Sequence, residues 1–248
     1  MAARFSDVEV AVPIQVTRED GRAEARSARE MEPRSRSHTL CRAMNVAIAS
    51  VALVLASPVL LIFAALVKLT SPGPIFYTQT RVGIDRRRAS SRGSRYDRRA
   101  RDVGGLPFII YKFRSMYADA ERGSGAVWAT EDDPRITPVG RLMRNCRIDE
   151  LPQLINVIRG DMNLVGPRPE RPVIFSRLCA DIADYPLRQR AKPGITGWAQ
   201  INHSYDTSVD DVRTKVRYDL EYLKRQGVTE DLRIMARTVP VVILGRGW

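Results

Sequence analysis

The longest departure from a mixed apolar and polar pattern runs from Ala43 to Val67, where VAIASVALVLASPVLLIFAALV carries no charged residue. As one straight helix at ~1.5 Å per residue this run would reach about 37 Å, against a hydrocarbon core of roughly 30 Å, so it is long enough to enter a bilayer. It lies well inside the chain and lacks a small-residue cleavage site, which argues against a removed signal peptide. Pro58 takes away a backbone donor and clashes with the preceding turn, at ~3 kcal/mol in a helix interior, so a break or kink is expected at Ser57-Pro58. Arg34, Arg36 and Arg42 precede the run, and Lys68, Arg81 and Arg86 follow it. Positive flanks prefer the cytoplasmic side, so a re-entrant helix-break-helix hairpin over residues 39–70 keeps both sets together. A tilted span kinked at proline is the alternative.

After the hairpin, SPGPIFYTQTRVG reads as an ordered turn leaving the membrane, with Phe76 and Tyr77 suited to an interfacial belt. Phe108 to Phe113 is rich in aromatic and β-branched residues and predicts a short strand. Leu151, Leu154, Ile155 and Ile158 recur at helical spacing and predict one apolar face, with Asp149 and Glu150 at the helix opening. Residues 173–190 are expected to be helical, KPGITGWAQIN a glycine-rich loop with a buried or stacking tryptophan, and Val212, Val216, Leu220 and Leu223 the inner stripe of a further helix. A basic, apolar segment follows from Leu232 to Leu244. Residues 1–38 have few large apolar positions and no period, and read as a solvated cytosolic tail. The pattern gives an α/β, mostly helical domain over 71–248, carried on the membrane hairpin and on amphipathic interfacial helices.

Charge changes this picture in one place. The formal net charge is +12. Between Arg81 and Arg101 nine arginines face only Asp85 and Asp97, so this stretch alone supplies seven of the twelve. A surface loop on anionic lipid explains it, whereas nucleic-acid binding would call for interleaved aromatics, and Tyr96 stands alone. Cys41, Cys146 and Cys179 are too scattered for a disulfide framework or a zinc pair. With His38 and His203 the only histidines, proton and metal chemistry falls to carboxylates.

Asp149-Glu150 is the central candidate. Acidic residues at a helix start often serve only as caps. An ionised aspartate can also attack phosphorus to give an acyl phosphate, and a neighbouring glutamate can hold a hard divalent ion that screens a diphosphate. Lys112, Arg114 and Arg168 are candidate phosphate clamps, Arg168 being pre-set between Pro167 and Pro169. Any one of them alone would read as a solvated surface charge.

The strings SPGPIFYTQTRVG, YKFRSM, RIDELPQLINVIRGDMNLVGPRPE and KPGITGWAQIN, in this order behind an apolar segment, are similar to the bacterial sugar transferase family. These monotopic polyprenyl-phosphate phosphoglycosyl transferases initiate exopolysaccharide, capsule and O-antigen assembly. The resemblance covers residues 40 to 248. It implies transfer of a sugar 1-phosphate from a UDP-sugar to undecaprenyl phosphate at the cytoplasmic face of the inner membrane, with Mg²⁺ as cofactor and UMP released. It further implies Asp149 as nucleophile, with Glu150 assisting metal and phosphate binding and both carboxylates available to the ion. Lys112, Arg114 and Arg168 match basic residues around the active site, Ser57-Pro58 the pair that makes the membrane segment re-entrant, and Arg144 a residue that seats the domain on lipid phosphates. The arginine-rich stretch over 85–105 departs from the family, whose members have a short link there.

Overall fold

A computed structural model describes residues 33–85, 105–120, 133–203 and 208–243. The basic stretch, apart from Asp85 and Gly105, and residues 1–32 of the tail lie outside the described residues. The uncharged run forms α1 (His38–Thr70), opened by Ser37, whose hydroxyl accepts the Leu40 N–H. The helix-break-helix expected here is instead one continuous helix with Pro58 inside it. The physical reason lies one residue earlier. Pro58 cannot donate to the Val54 carbonyl, but the Ser57 hydroxyl does so at 2.7 Å, and the helix runs on.

Both ends of α1 are sewn to the rest of the molecule, while its middle presents Val51, Val54, Leu55, Leu61 and Ile62 outward. At the N-terminal end Arg42 donates to the carbonyls of Val157 and Ile158, and the buried Asn45 accepts the Leu164 N–H at 2.6 Å. At the C-terminal end Val67 packs with Phe113 and Met143. Ahead of the helix, Arg34 is docked as well. Its N–H donates to the Leu223 carbonyl and its own carbonyl accepts from Gln226, so the expected solvated tail stops short of this residue.

Strands β1 (Phe76–Val82) and β2 (Pro107–Phe113) form an antiparallel ribbon in which Tyr77 faces Lys112 and Arg81 faces Phe108. β1 occupies the segment expected to be a turn. Helix α2 (Pro138–Asn145) starts on Thr137, whose hydroxyl accepts the Gly140 N–H. Gly140 is required: a Cβ there would meet the Ser115 carbonyl oxygen at 1.9 Å. A 3₁₀ turn (Ile148–Glu150) leads into α3 (Gln153–Arg159). The apolar face of α3 is rotated from the expected one. Leu154 and Val157 are buried with Asn156, while Ile155 is exposed. Asn156 must point inward because it carries the ribbon, donating to the Ile109 carbonyl at 2.6 Å and accepting the Tyr111 N–H at 3.1 Å.

β3 (Asn163–Val165) pairs in parallel with β4 (Gly194–Thr196), which lies inside the segment expected to be a loop. The helix expected over 173–190 divides into α4 (Pro172–Asp181) and a 3₁₀ turn (Tyr185–Arg190), because Ile182 adopts an extended conformation. Helix α5 (Trp198–Asn202) places Trp198 under the guanidinium groups of Arg225 and Arg237, 4.7 and 5.4 Å from its ring centre. Helix α6 (Val209–Arg225) begins with a reciprocal Ser208–Asp211 cap and buries Val212, Val216, Leu220 and Leu223, the stripe expected from the sequence. Helix α7 (Val228–Ile243) closes the chain's main core, which also holds Ala49 of α1. The described residues are thus mostly helical, with short strands and one long apolar helix.

Candidate active site

Asp149 and Glu150 sit on the 3₁₀ turn between α2 and α3, each only 7% exposed. Arg147 brings the chain to this turn in the left-handed region, at φ 57° and ψ 18°. It is the one non-glycine residue with positive φ among the described residues, and a conformation that disfavours a side chain stands two positions before the acidic pair. This turn aims the Arg147 guanidinium at Glu150 Oε2, 3.5 Å away.

Two further cations meet on the other oxygen of the same carboxylate. Lys112 Nζ donates to Glu150 Oε1 at 2.8 Å, and Arg168 Nη2 to the same atom at 2.7 Å. Lys112 arrives from β2, whose position is fixed by Asn156, and Arg168 from the loop between β3 and α4. Burial alone would push the Glu150 carboxyl up, but Arg168, Lys112 and Arg147 together outweigh it and hold the group well below the usual carboxylate range. Burial, with the like charge of Arg168, draws the Lys112 ammonium down, against the pull of Glu150.

Asp149 is in a different situation. It makes no hydrogen bond or ion pair among the described residues. Burial first, then the adjacent Glu150 charge, push its pKa up to about 6, although Lys112, Arg144 and Arg147 draw it the other way. One carboxylate is therefore locked as an anion by three cations, and its neighbour is a desolvated carboxyl group with no partner of its own among the described residues. Arg168 remains 45% exposed at its side chain, whereas Glu150 is 9% exposed at its own.

The structure thus brings together four of the residues expected at the site, Asp149, Glu150, Lys112 and Arg168. Arg114 stands elsewhere. Its guanidinium caps the C-terminal end of α1, donating to the carbonyls of Ser71 and Pro72 at 2.8 and 2.7 Å and to the Ser71 hydroxyl at 2.7 Å. This explains the glycine in SPGP. Gly73 has φ +122°, and a Cβ there would lie 2.0 Å from Arg114 Nη1. The reason for the displacement is where β2 stops: alternation would keep Lys112 and Arg114 on one side of the ribbon, but the strand ends at Phe113, and Arg114 turns to the end of α1. Ser57 and Pro58 lie in the exposed middle of α1, and Arg144 in the last turn of α2, close enough to the dyad to lower the Asp149 pKa.

Sequence reasoning missed Arg147 and Asn156. The spacing of Arg147 three residues before Glu150 is a usable signal. An asparagine between two apolar helix positions is another, because a buried amide must find partners. For a divalent ion the described residues offer the two carboxylates of the dyad, hard oxygen donors of the right kind. Glu150 Oε1 is already taken by two cations, which leaves Asp149 and Glu150 Oε2, the latter shared with Arg147 at 3.5 Å.

A family model described as Bacterial sugar transferase matches residues 36–245. The chain is 40% identical over 206 residues to the UDP-N-acetylgalactosamine-undecaprenyl-phosphate N-acetylgalactosaminephosphotransferase of Aeromonas hydrophila, covering 83% of this chain and 44% of that protein. It is 40% identical over 202 residues to the UDP-glucose:undecaprenyl-phosphate glucose-1-phosphate transferase of Escherichia coli, covering 81% of this chain and 39% of the relative. It thus spans less than half the length of these two relatives. A shorter relative, the exopolysaccharide production protein ExoY of Sinorhizobium fredii, is 35% identical over 222 residues, covering 83% of this chain and 86% of its own length. With the family pattern running from the docked segment before α1 to the last helix, and with its acidic pair set among basic residues, the chain belongs to the bacterial sugar transferase family.

Proposed function

We propose that this protein transfers a sugar 1-phosphate from a UDP-sugar to undecaprenyl phosphate, through a covalent intermediate on Asp149, as the first step of a surface polysaccharide. The observation that carries this reading is the asymmetry of the dyad: an uncommitted, buried Asp149 beside a Glu150 held by three cations. Asp149 attacks the phosphorus bearing the sugar, the bond from that phosphorus to the bridging oxygen breaks, and UMP leaves with the electron pair. An oxygen of undecaprenyl phosphate then attacks the same phosphorus, the acyl phosphate bond breaks, and the carboxylate returns.

Lys112 and Arg168 stand beside the nucleophile and offer positive charge to the diphosphate oxygens, which otherwise repel an incoming carboxylate. Asp149 and the Oε2 side of Glu150 would hold Mg²⁺ together with the donor's own phosphates; when bound, the ion neutralises charge on the diphosphate. The names of the relatives point to UDP-glucose and UDP-N-acetylgalactosamine as the donors to try first. The lipid acceptor is confined to the membrane interface, and seating the catalytic body there brings it within reach. Both ends of α1 dock on the same body, which supports a re-entrant helix with that body at the cytoplasmic face of the inner membrane. Arg144, in the last turn of α2, then faces anionic lipid headgroups.

The test is a rapid-quench measurement with stoichiometric protein and no lipid acceptor. UMP should appear in amounts equal to the enzyme, and intact-protein mass spectrometry should find a phosphosugar adduct that Asp149→Asn lacks. UMP that appears only when undecaprenyl phosphate is present, with no adduct, would defeat the covalent route.

A further inference from the structure

The loop that carries Arg168 is held in an unusual way. Pro167 and Pro169 have no N–H to give, yet the three carbonyls of Pro167, Arg168 and Pro169 each receive a donor from a different element. Gly194 N–H donates to Pro167 at 3.0 Å, Arg188 Nη2 to Arg168 at 3.0 Å, and Arg81 Nη1 to Pro169 at 3.1 Å. The same Arg188 nitrogen lies 2.7 Å from Asp219 Oδ2 on α6, and Arg188 Nη1 donates to the Tyr185 hydroxyl at 2.7 Å. Arg188, Asp219 and Tyr185 are all buried, and none of them touches the dyad itself.

A buried ion pair is a poor way to hold two elements together, because desolvation offsets most of the attraction and an apolar pair of similar volume packs as well. What an apolar pair cannot do is donate a hydrogen bond to a carbonyl. We infer that Arg188, oriented by Asp219, is a positioning residue: it fixes the backbone of Arg168 so that the exposed guanidinium is delivered to Glu150 and to the substrate's phosphates. This inference rests on the functional reading above. It assigns the charge pair a task that the family's reaction needs, since a cation displaced by about 1 Å can lower turnover about 100-fold.

The test uses the full membrane-embedded chain and the double variant Arg188→Met with Asp219→Leu. Replacing both partners keeps the volume and leaves no orphaned charge, but the Arg168 carbonyl and the Tyr185 hydroxyl lose their donor, so the thermal midpoint should fall modestly while the protein stays folded. With UDP-glucose and UDP-N-acetylgalactosamine as donors, kcat/KM should nevertheless fall about 100-fold. Hydrogen exchange should quicken at the backbone amides of Arg168, Glu170 and Arg171 only. In an Arg168→Gln background the same double change should cost less than about threefold, because non-additivity is the mark of residues acting through one group. A well-folded double variant with unaltered exchange and unaltered kcat/KM would overturn the inference, as would a loss that persists in full without Arg168. If the double variant does not fold, Arg188→Lys keeps the charge against Asp219 but not the fork, and the same exchange and kinetic outcomes decide. If the unmodified protein releases no UMP from either donor, the functional reading fails, while the exchange measurement still decides whether Arg188 fixes the loop.

Discussion

Asp149 is held at neutral pH in the form its surroundings disfavour. Its folded-state pKa of about 6 lies above the ordinary 3.8, so the folded chain binds this proton more tightly than the unfolded one. The stability gained from protonation is fully present below pH 3.8 and is lost as pH rises through 6. At pH 7 the ionised carboxylate therefore costs up to about 3 kcal/mol, with burial the main cause and the Glu150 charge the second. Asp149→Asn should raise the thermal midpoint at pH 7 and lose that advantage near pH 4, while abolishing UMP release. Thermal unfolding in detergent across that range checks it, and a midpoint lowered at pH 7 would contradict the electrostatic account. The initial burst of the unmodified protein should weaken as pH falls through about 6, because the protonated acid is no nucleophile.

At the scale of elements, the ribbon and α3 act as one unit because Asn156 reads Ile109 and Tyr111 as a neighbouring strand would. Asn156→Leu takes the partner from the Tyr111 N–H and the Ile109 carbonyl, two half-buried groups, at up to about 1–3 kcal/mol each. It should lower the urea midpoint and raise KM for the UDP-sugar, since Lys112 rides on the same strand; an unchanged KM in the folded variant would free the ribbon from this role. The elements legible in the sequence were those with a period to read. The α6 stripe is buried as its spacing required, and the aromatic and β-branched run became β2. β1 was hidden by the prolines before it, although Pro72 and Pro74 only set its start and Phe76–Val82 is free to pair. β3 and β4 are three residues each and exist through one another, so no local pattern announces them. The same limit applied to the site. Asp149, Glu150, Lys112 and Arg168 were legible as chemistry, but the departure of Arg114 to the end of α1 depends on where β2 stops.

For the whole molecule, the decisive feature is that α1 docks on the rest of the chain at both ends, through Arg42 and Asn45 at one and Val67 at the other. A straight helix of this length would extend about 50 Å. Ser57→Leu combined with Pro58→Leu gives residue 58 an N–H for the Val54 carbonyl and removes the proline and serine that favour a bend in a helix. A cysteine introduced at Ser6 should then become reachable by an impermeant reagent from outside intact cells, and UMP release should fall as one end of α1 loses its seat. Continued protection with full activity would separate the Ser57-Pro58 pair from topology. The seat at the other end carries a further consequence, which concerns time. Asn45 finds its partner, the Leu164 N–H, 119 residues later in the chain. At roughly 5–20 residues per second of synthesis, the amide waits about 6–24 s, or longer, with the apolar helix already made. During that interval the Asn45 NH2 is already satisfied by the Cys41 carbonyl of the same helix at 2.7 Å, but its Oδ1 has only solvent to accept from until the newly made part of the chain closes over it.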